Sequence, residues 1–219
     1  GLISYFEKKQ ILNNLKEDEN NLSKELDIVE KKNELLSVNL DKDFLETLIR
    51  QKLKFGKSTE KELWHRHILD SAQLVKFIDF KSLSLADLGS GAGFPGIVIE
   101  IFNKNKDFHV KLYEKSSVKR QFLIKVINEL NLNAKVCGDY REQALDADII
   151  VCRAFKKLEQ VIQVSREIAK KPHKLMILKG QNAQEEINKT FKTRKYSYKL
   201  VKSITNDKSK IILMQIDFK

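Results

Sequence analysis

A length of 219 residues and a mass of 25.5 kDa suits one large domain, or one domain with an appendage, with enough chain to bury a proper core. With 42% apolar and 32% charged residues, and no apolar run near the roughly 18 residues of a membrane span, a membrane-spanning protein and a disordered tail are both excluded. The net charge of +11 is uneven: residues 1–60 carry 11 Lys and Arg against 12 Asp and Glu, whereas residues 171–219 carry 12 against 4, a surplus that attracts polyanions through counterion release.

Residues 1–55 contain almost no Gly and no Pro, and apolar residues recur at helical spacing, as in Leu15, Leu22, Leu26 and Val29 and again in Phe44, Leu48 and Ile49. This predicts an N-terminal helical extension, residues 1–58, ahead of a main domain over 59–219. Thr59 and Glu62 form a capping box after Gly56, predicting a helix from about Glu60 to Phe77. From Leu83 the pattern becomes short apolar runs alternating with amphipathic stretches. Predicted strands are Leu85–Leu88, His109–Tyr113, Lys135–Cys137, Asp148–Cys152, Lys174–Leu178, Ser197–Lys202 and Ile211–Ile216. Predicted helices are Gly96–Asn103, Val118–Leu130, Leu158–Ala169 and Ala183–Phe191. Such alternation implies an α/β fold with a parallel sheet covered on both faces. The last two strands, joined only through a turn at Asn206–Asp207, predict an antiparallel hairpin that ends a seven-stranded sheet.

Four of the chain's eight glycines, Gly89, Gly91, Gly93 and Gly96, fall within eight residues directly after the first strand. That density lets the backbone turn with positive φ and lets a ligand approach the main chain without an intervening Cβ. Pro95 suits the start of the following helix, whose free N–H groups can face a polar ligand. Gly91, Gly93 and Gly96 satisfy the G-x-G-x-x-G dinucleotide pattern, and Glu114 stands 21 residues after Gly93 at the end of the second strand. A carboxylate there can hold the ribose hydroxyls of a nucleotide-type ligand. Asp139 is the adenine candidate, because it follows Gly138 at a strand's carboxyl end; a solvated turn carboxylate is the plain alternative.

The stretch from Asp87 to Gly93 resembles the motif of class I S-adenosylmethionine-dependent methyltransferases, and the terminal hairpin resembles them too. Five further segments narrow the resemblance: Arg66 to Ser71, Phe94 to Ile97, Lys119-Arg120 before Phe122-Leu123, Arg153-Ala154-Phe155, and Leu178-Lys179-Gly180. In this order they resemble the glucose-inhibited division protein B family, bacterial methyltransferases that modify a guanine of small-subunit (16S) ribosomal RNA at N7. The resemblance covers roughly residues 60–185. It implies a Rossmann-like class I methyltransferase domain, S-adenosyl-L-methionine as cofactor, ribosomal RNA or the small ribosomal subunit as partner, and rRNA methylation as the function. It also implies that Gly89 and Phe94 line the cofactor pocket, that Tyr140 and Arg141 flank the adenine, and that Arg153 closes the site and is its catalytic residue. The sequence departs from the family at three places: Lys54 to Thr59 replaces an Asn-Leu-Thr stretch, Glu114 replaces the commoner Asp, and Tyr140-Arg141 replaces a Val-Glu pair.

Other motifs carry less. His67, Asp70 and Ser71 share a helix face, yet no G-x-S-x-G elbow accompanies the serine, so the three are expected to fasten the helix rather than form a hydrolytic triad. Gly56-Lys57-Ser58 lacks the first glycine of a phosphate-binding loop, since position 51 is Gln51. Cys137 and Cys152, with no signal segment in this chain, point to a reducing cytoplasm, and their spacing with His65 and His67 builds no metal site. A monomer that meets neither membrane nor metal is expected. Lys115, Lys119, Arg120, Lys156, Lys157 and Lys179 lie near the carboxyl ends of strands or in the helices that follow, and several of them are expected to meet RNA phosphates around the pocket mouth. Two other readings remain at this stage: a methyltransferase of small molecules, and a non-catalytic RNA-binding module that keeps the cofactor fold.

Overall fold

The computed structural model describes residues 64–193 and 196–217. The expected extension over 1–58, and its boundary with the main domain, lie outside the described residues.

Seven strands form one sheet: β1 (Ser84–Leu88), β2 (His109–Tyr113), β3 (Ala134–Cys137), β4 (Ile149–Arg153), β5 (His173–Lys179), β6 (Tyr198–Lys202) and β7 (Lys210–Ile216), in the order β3-β2-β1-β4-β5-β7-β6. The first five pair in parallel, and β7 runs antiparallel to both β5 and β6. Central strands must be apolar on both faces when helices cover both. In β4, Ile149, Ile150, Val151 and Cys152 are all buried. Helices α1 (Gly96–Phe102), α2 (Ser117–Glu129), α3 (Leu158–Ile168) and α4 (Ala183–Thr193) provide that cover. In α3 the buried residues Leu158, Val161, Ile162 and Ser165 follow the i, i+3, i+4, i+7 stripe that turns one helix face to a core.

The hairpin forms as expected, but β7 lies inside the sheet and β6 at its edge. Composition explains the order. Ile211, Ile212, Met214 and Ile216 of β7 are buried, whereas β6 exposes most of Tyr-Lys-Leu-Val-Lys, and lysines on an edge also deter pairing with another sheet. In the turn, the Asn206 side chain accepts from Lys208 N at 2.9 Å and its carbonyl from Ser209 N at 3.0 Å.

The expected continuous helix to Phe77 is instead three short pieces. A π-helical turn, Trp64–Leu69, runs into one α-turn at Asp70–Ala72, followed by a 3-10 turn at Val75–Phe77. The Ser71 hydroxyl donates back to the His67 carbonyl at 2.5 Å, a side-chain bond that competes with regular helix geometry. The Gln73 side chain bonds locally to Asp70 Oδ1 at 2.8 Å and is drawn across the fold to Ser203 Oγ at 3.1 Å.

Parallel pairing puts the carboxyl ends of β1, β2, β3 and β4 along one rim, with Leu88 opposite both Tyr113 and Cys152, and Tyr113 opposite Cys137. The strand order reverses between β1 and β4, the switch point where open α/β sheets bind ligands. Gly89, Glu114, Asp139 and Arg153 all stand on this rim.

Candidate active site

The loop after β1 takes positive φ at Gly89, Gly91 and Gly93 (72°, 58° and 94°). Gly96 has another duty: a Cβ there would lie 2.4 Å from Leu112 Cδ2 and 2.8 Å from Asp87 Oδ2, so only glycine lets α1 sit this close to the sheet. Pro95 is the residue before α1, with its first helical residue at Gly96.

Asp87 anchors the loop from below. Its Oδ2 accepts from Gly96 N at 3.0 Å, and the Ser90 hydroxyl donates to its carbonyl at 3.0 Å. Its Oδ1 is buried and meets no hydrogen-bond partner among the described residues. Complete burial pushes this carboxyl up to about 7, against the opposing pull of the Gly96 N–H. Burial also raises Glu100 to about 7.

These two carboxyls give a pH dependence of defined sign. In the unfolded chain they ionise near pH 4, so between about pH 4 and 7 folding takes up protons and stability falls as pH rises, by up to about 1.4 kcal/mol per pH unit for each group. Above pH 7 the effect is complete. Asp87→Asn removes one of the two, so its melting temperature relative to the wild type should climb between pH 5 and pH 7. A difference that stays constant over that range, read by calorimetry, contradicts the buried-carboxyl assignment.

Glu114, almost fully buried, spans the rim: Oε2 accepts from Gly91 N at 3.0 Å and Oε1 from Ser116 N at 2.9 Å. It therefore braces the glycine loop while lining a cavity of about 320 Å³ with Gly89, Lys115, Lys119, Asp139, Tyr140, Arg141 and Phe155 among its neighbours. Asp139 caps the short turn Tyr140–Glu142 through Arg141 N at 3.0 Å and is gripped by the Arg141 guanidinium, Nε at 3.0 Å and Nη2 at 2.5 Å. Those bonds hold its carboxyl down at about 2. The Tyr140 ring meets Phe155 edge-on at 5.2 Å. Phe155 in turn packs over Gly89, where an added Cβ would come within 2.6 Å of the ring.

Ala154, with φ at 51°, turns the chain sharply between Arg153 and Phe155; a non-glycine residue in this region marks a site where tertiary contacts override local preference. Arg153 reaches away from Phe155. It donates to the Arg66 carbonyl at 2.6 Å, bonds His67 Nδ1, stands 3.7 Å from Asp70 Oδ2 and lies 5.6 Å over the Phe94 ring. Asp70 is also bound by the Thr205 hydroxyl at 2.9 Å. His67 and Asp70 thus fasten the segment before β1 to the site and to the β6–β7 turn. The Ser71 hydroxyl is spent on a carbonyl and fully buried, so it is no nucleophile.

Arg153 lines a second, larger cleft of about 650 Å³ that adjoins the first through Ala154, Phe155 and Lys156. Sequence reasoning missed one of its features. Lys179, at the end of β5, pairs with Glu186 in the first turn of α4 at 2.8 Å, and the same carboxylate oxygen accepts from Leu158 N at 2.6 Å. Nothing local in the sequence signals that the strand-end lysine meets a carboxylate seven residues on. Two of the expected phosphate contacts are engaged elsewhere. Arg120 donates to the Glu114 and Lys115 carbonyls at 3.1 and 2.6 Å, and Lys179 to the Lys156 carbonyl at 2.6 Å. Lys156 and Lys157 line the larger cleft, while Lys115 and Lys119 stand exposed at the smaller.

The thiols offer no nucleophile. Burial, with the nearby Asp87 carboxyl adding to it, pushes Cys152 up to about 12, and burial raises Cys137 as well. Among the described residues no group of His, Cys, Asp and Glu could hold a metal, and no helix is long and apolar enough to cross a membrane.

Known proteins share both sequence and fold. The family described as GidB, rRNA small subunit methyltransferase G, matches residues 23–213. The "Ribosomal RNA small subunit methyltransferase G" of Orientia tsutsugamushi strain Ikeda is 37% identical over 161 residues, covering 73% of this chain and 79% of that protein. Its namesake from Rickettsia akari is 38% identical over 156 residues, 71% of this chain and 80% of that one. Among solved structures, a SAM-dependent methyltransferase from Aquifex aeolicus superposes with a TM-score of 0.57 at 13% identity, covering 78% of this chain and 98% of its own. The tRNA methyltransferase TrmK of B. subtilis gives 0.52 at 14% identity, over 68% and 66%. These two show the fold, while the match over residues 23–213 and the identities of the relatives place the chain in the GidB family, the rRNA small subunit methyltransferase G proteins.

Proposed function

We propose that this chain methylates N7 of a guanine in 16S ribosomal RNA, using S-adenosyl-L-methionine, where small subunits are made in the bacterial cytoplasm. The observation that carries the reading is the pair of adjoining clefts at the switch point of a methyltransferase fold, in a chain whose relatives are rRNA methyltransferases.

The smaller cavity fits the cofactor. Its wall includes Gly89 of the glycine loop, and next to it the loop is open, since a Cβ on Gly91 would meet nothing nearer than Gly89 O at 3.8 Å. Glu114 borders it with carboxylate lone pairs for ribose hydroxyls, and Tyr140 with an aromatic face for adenine. Asp139, Arg141 and Gly89 border this cavity, whereas Gly93 packs toward Ile97 and Leu123 and Phe94 lies buried beneath Arg153, so these two support the loop from behind. When bound, S-adenosylmethionine supplies a methyl group on a cationic sulfonium. Guanine N7 offers a lone pair and carries no proton, so the protein needs no general base. This agrees with a site whose thiols are held protonated and whose serine is engaged. What remains for the residues is positioning and exclusion of water. Phe155 packs between the two clefts, and Arg153, held by Asp70, Arg66 and His67, sets the wall against which the base is placed.

The protein is tested with a labelled methyl donor on naked 16S RNA, on assembled small subunits and on RNA-free extract. Label that enters RNA and renders one guanosine cleavable by borohydride and aniline supports N7 methylation. Label confined to small molecules, or absent, overturns it.

RNA binding has a separate check. Lys157 lines the larger cleft and not the smaller, and replacing it by Ala should raise KM for RNA, leave cofactor affinity alone and flatten the log–log salt dependence by about 0.7–0.9 if one phosphate contact is lost. An unchanged salt slope moves the RNA path elsewhere, with the basic residues 171–219 as the next candidate.

A further inference from the structure

The larger cleft presents a donor and an acceptor side by side. Lys179 and Glu186 are joined through one carboxylate oxygen, Oε2, which also takes the Leu158 N–H. The other oxygen, Oε1, meets no donor among the described residues. Lys179 Nζ gives two of its three hydrogens, to Glu186 and to the Lys156 carbonyl. The pair is well held: the Lys179 side chain is 10% exposed and that of Glu186 28%. Both residues line the cleft. One carboxylate lone pair and one ammonium hydrogen are therefore available together, in fixed positions a few ångströms apart.

We infer that the Lys179–Glu186 pair selects the target base, Glu186 Oε1 accepting the N1–H of guanine and Lys179 donating to its O6. This rests on the guanine reading above and deepens it. Guanine and hypoxanthine present N1–H beside an O6 acceptor. Adenine and 2,6-diaminopurine present the reverse, a bare N1 beside an amino group, which sets lone pair against carboxylate and N–H against ammonium. All four carry an N7 lone pair, so rejection of the second pair must come from this edge. Hydrogen bonds to charged partners in a partly desolvated cleft discriminate strongly, because the wrong base leaves both protein groups unpaired.

Glu186→Gln tests the pair while preserving shape. The amide oxygen can keep the Leu158 N–H and the Lys179 ammonium, and the amide nitrogen then turns a donor toward the base where the wild type offers an acceptor. Target RNA is prepared with guanine, hypoxanthine or 2,6-diaminopurine at the methylated position, and kcat/KM is measured for each. The wild type should accept hypoxanthine within a few-fold of guanine and reject 2,6-diaminopurine. Glu186→Gln should lose about 10- to 100-fold on guanine, with a correspondingly smaller preference for guanine over 2,6-diaminopurine. A merely structural role for Glu186 lowers all three substrates together and leaves that preference unchanged, which overturns the inference. So does a wild type that methylates 2,6-diaminopurine as well as guanine, a result that needs no folded variant. Failure of the wild type on guanine itself is a different outcome: it removes the functional reading.

Discussion

Gly91→Val should raise the dissociation constant for S-adenosylmethionine by about 100-fold or more while leaving a folded protein. Two effects act together. At φ 58° a β-branched side chain is strained by about 1–3 kcal/mol, and its methyl groups fill the open space above the loop, where an added Cβ meets only Gly89 O at 3.8 Å. The Gly91 N–H also holds Glu114 at 3.0 Å, so displacing this residue disturbs the carboxylate assigned to the ribose. Gly91→Ala, with the smaller intrusion, should fall between. Gly96→Ala provides the contrast, since its Cβ would press on buried Leu112 and Asp87; it should destabilise the fold by about 1–3 kcal/mol, the usual cost of overpacking. Calorimetric titration and thermal melts separate the two kinds of damage. Normal cofactor affinity in Gly91→Val refutes the assignment of the loop.

Arg153→Ala should reduce kcat by about 100-fold at saturating RNA with little change in cofactor affinity. The guanidinium joins Asp70, the Arg66 carbonyl and His67, and lies over Phe94, so its removal frees the segment before β1 and loosens one wall of the larger cleft. Burial pulls its own pKa down, opposed by the Asp70 and Asp87 carboxylates; the side chain nonetheless stays a cation, because guanidinium deprotonates only far above physiological pH. Arg153→Lys keeps a charge but loses the planar fork that reaches several partners at once, so it should recover only part of the rate. An effect confined to KM for RNA, with kcat intact, would show that Arg153 binds the substrate without shaping the reacting geometry.

The glycine loop and the acids on the sheet rim were legible because their signals are local. A run of glycines after a strand, an acid two residues ahead and another at the end of the next strand each report a backbone constraint that acts within a few residues. The strand–helix alternation likewise carried the class of the sheet. Arg120 and Lys179 show where such reasoning stops: charge and position in the chain suggest phosphate contacts, yet both are drawn to carbonyls and, for Lys179, to Glu186. Asp139 is similar, since its place at a strand end suggests a ligand contact while its carboxylate is already gripped by Arg141.

By itself, the sequence determined the parallel α/β core, the antiparallel hairpin, the glycine loop and the family, because hydrophobic period, turn chemistry and motif spacing are written along the chain. Tertiary structure alone decided three things: that β7 lies inside β6, that the expected helix before Phe77 breaks into three turns, and that Lys179 meets Glu186 while Asp70 meets Arg153 and Thr205. Each depends on how much surface a segment can bury, or on polar partners brought together only when the strands align. A buried donor or acceptor takes whichever partner packing brings within reach, and that choice leaves no periodic trace along the chain.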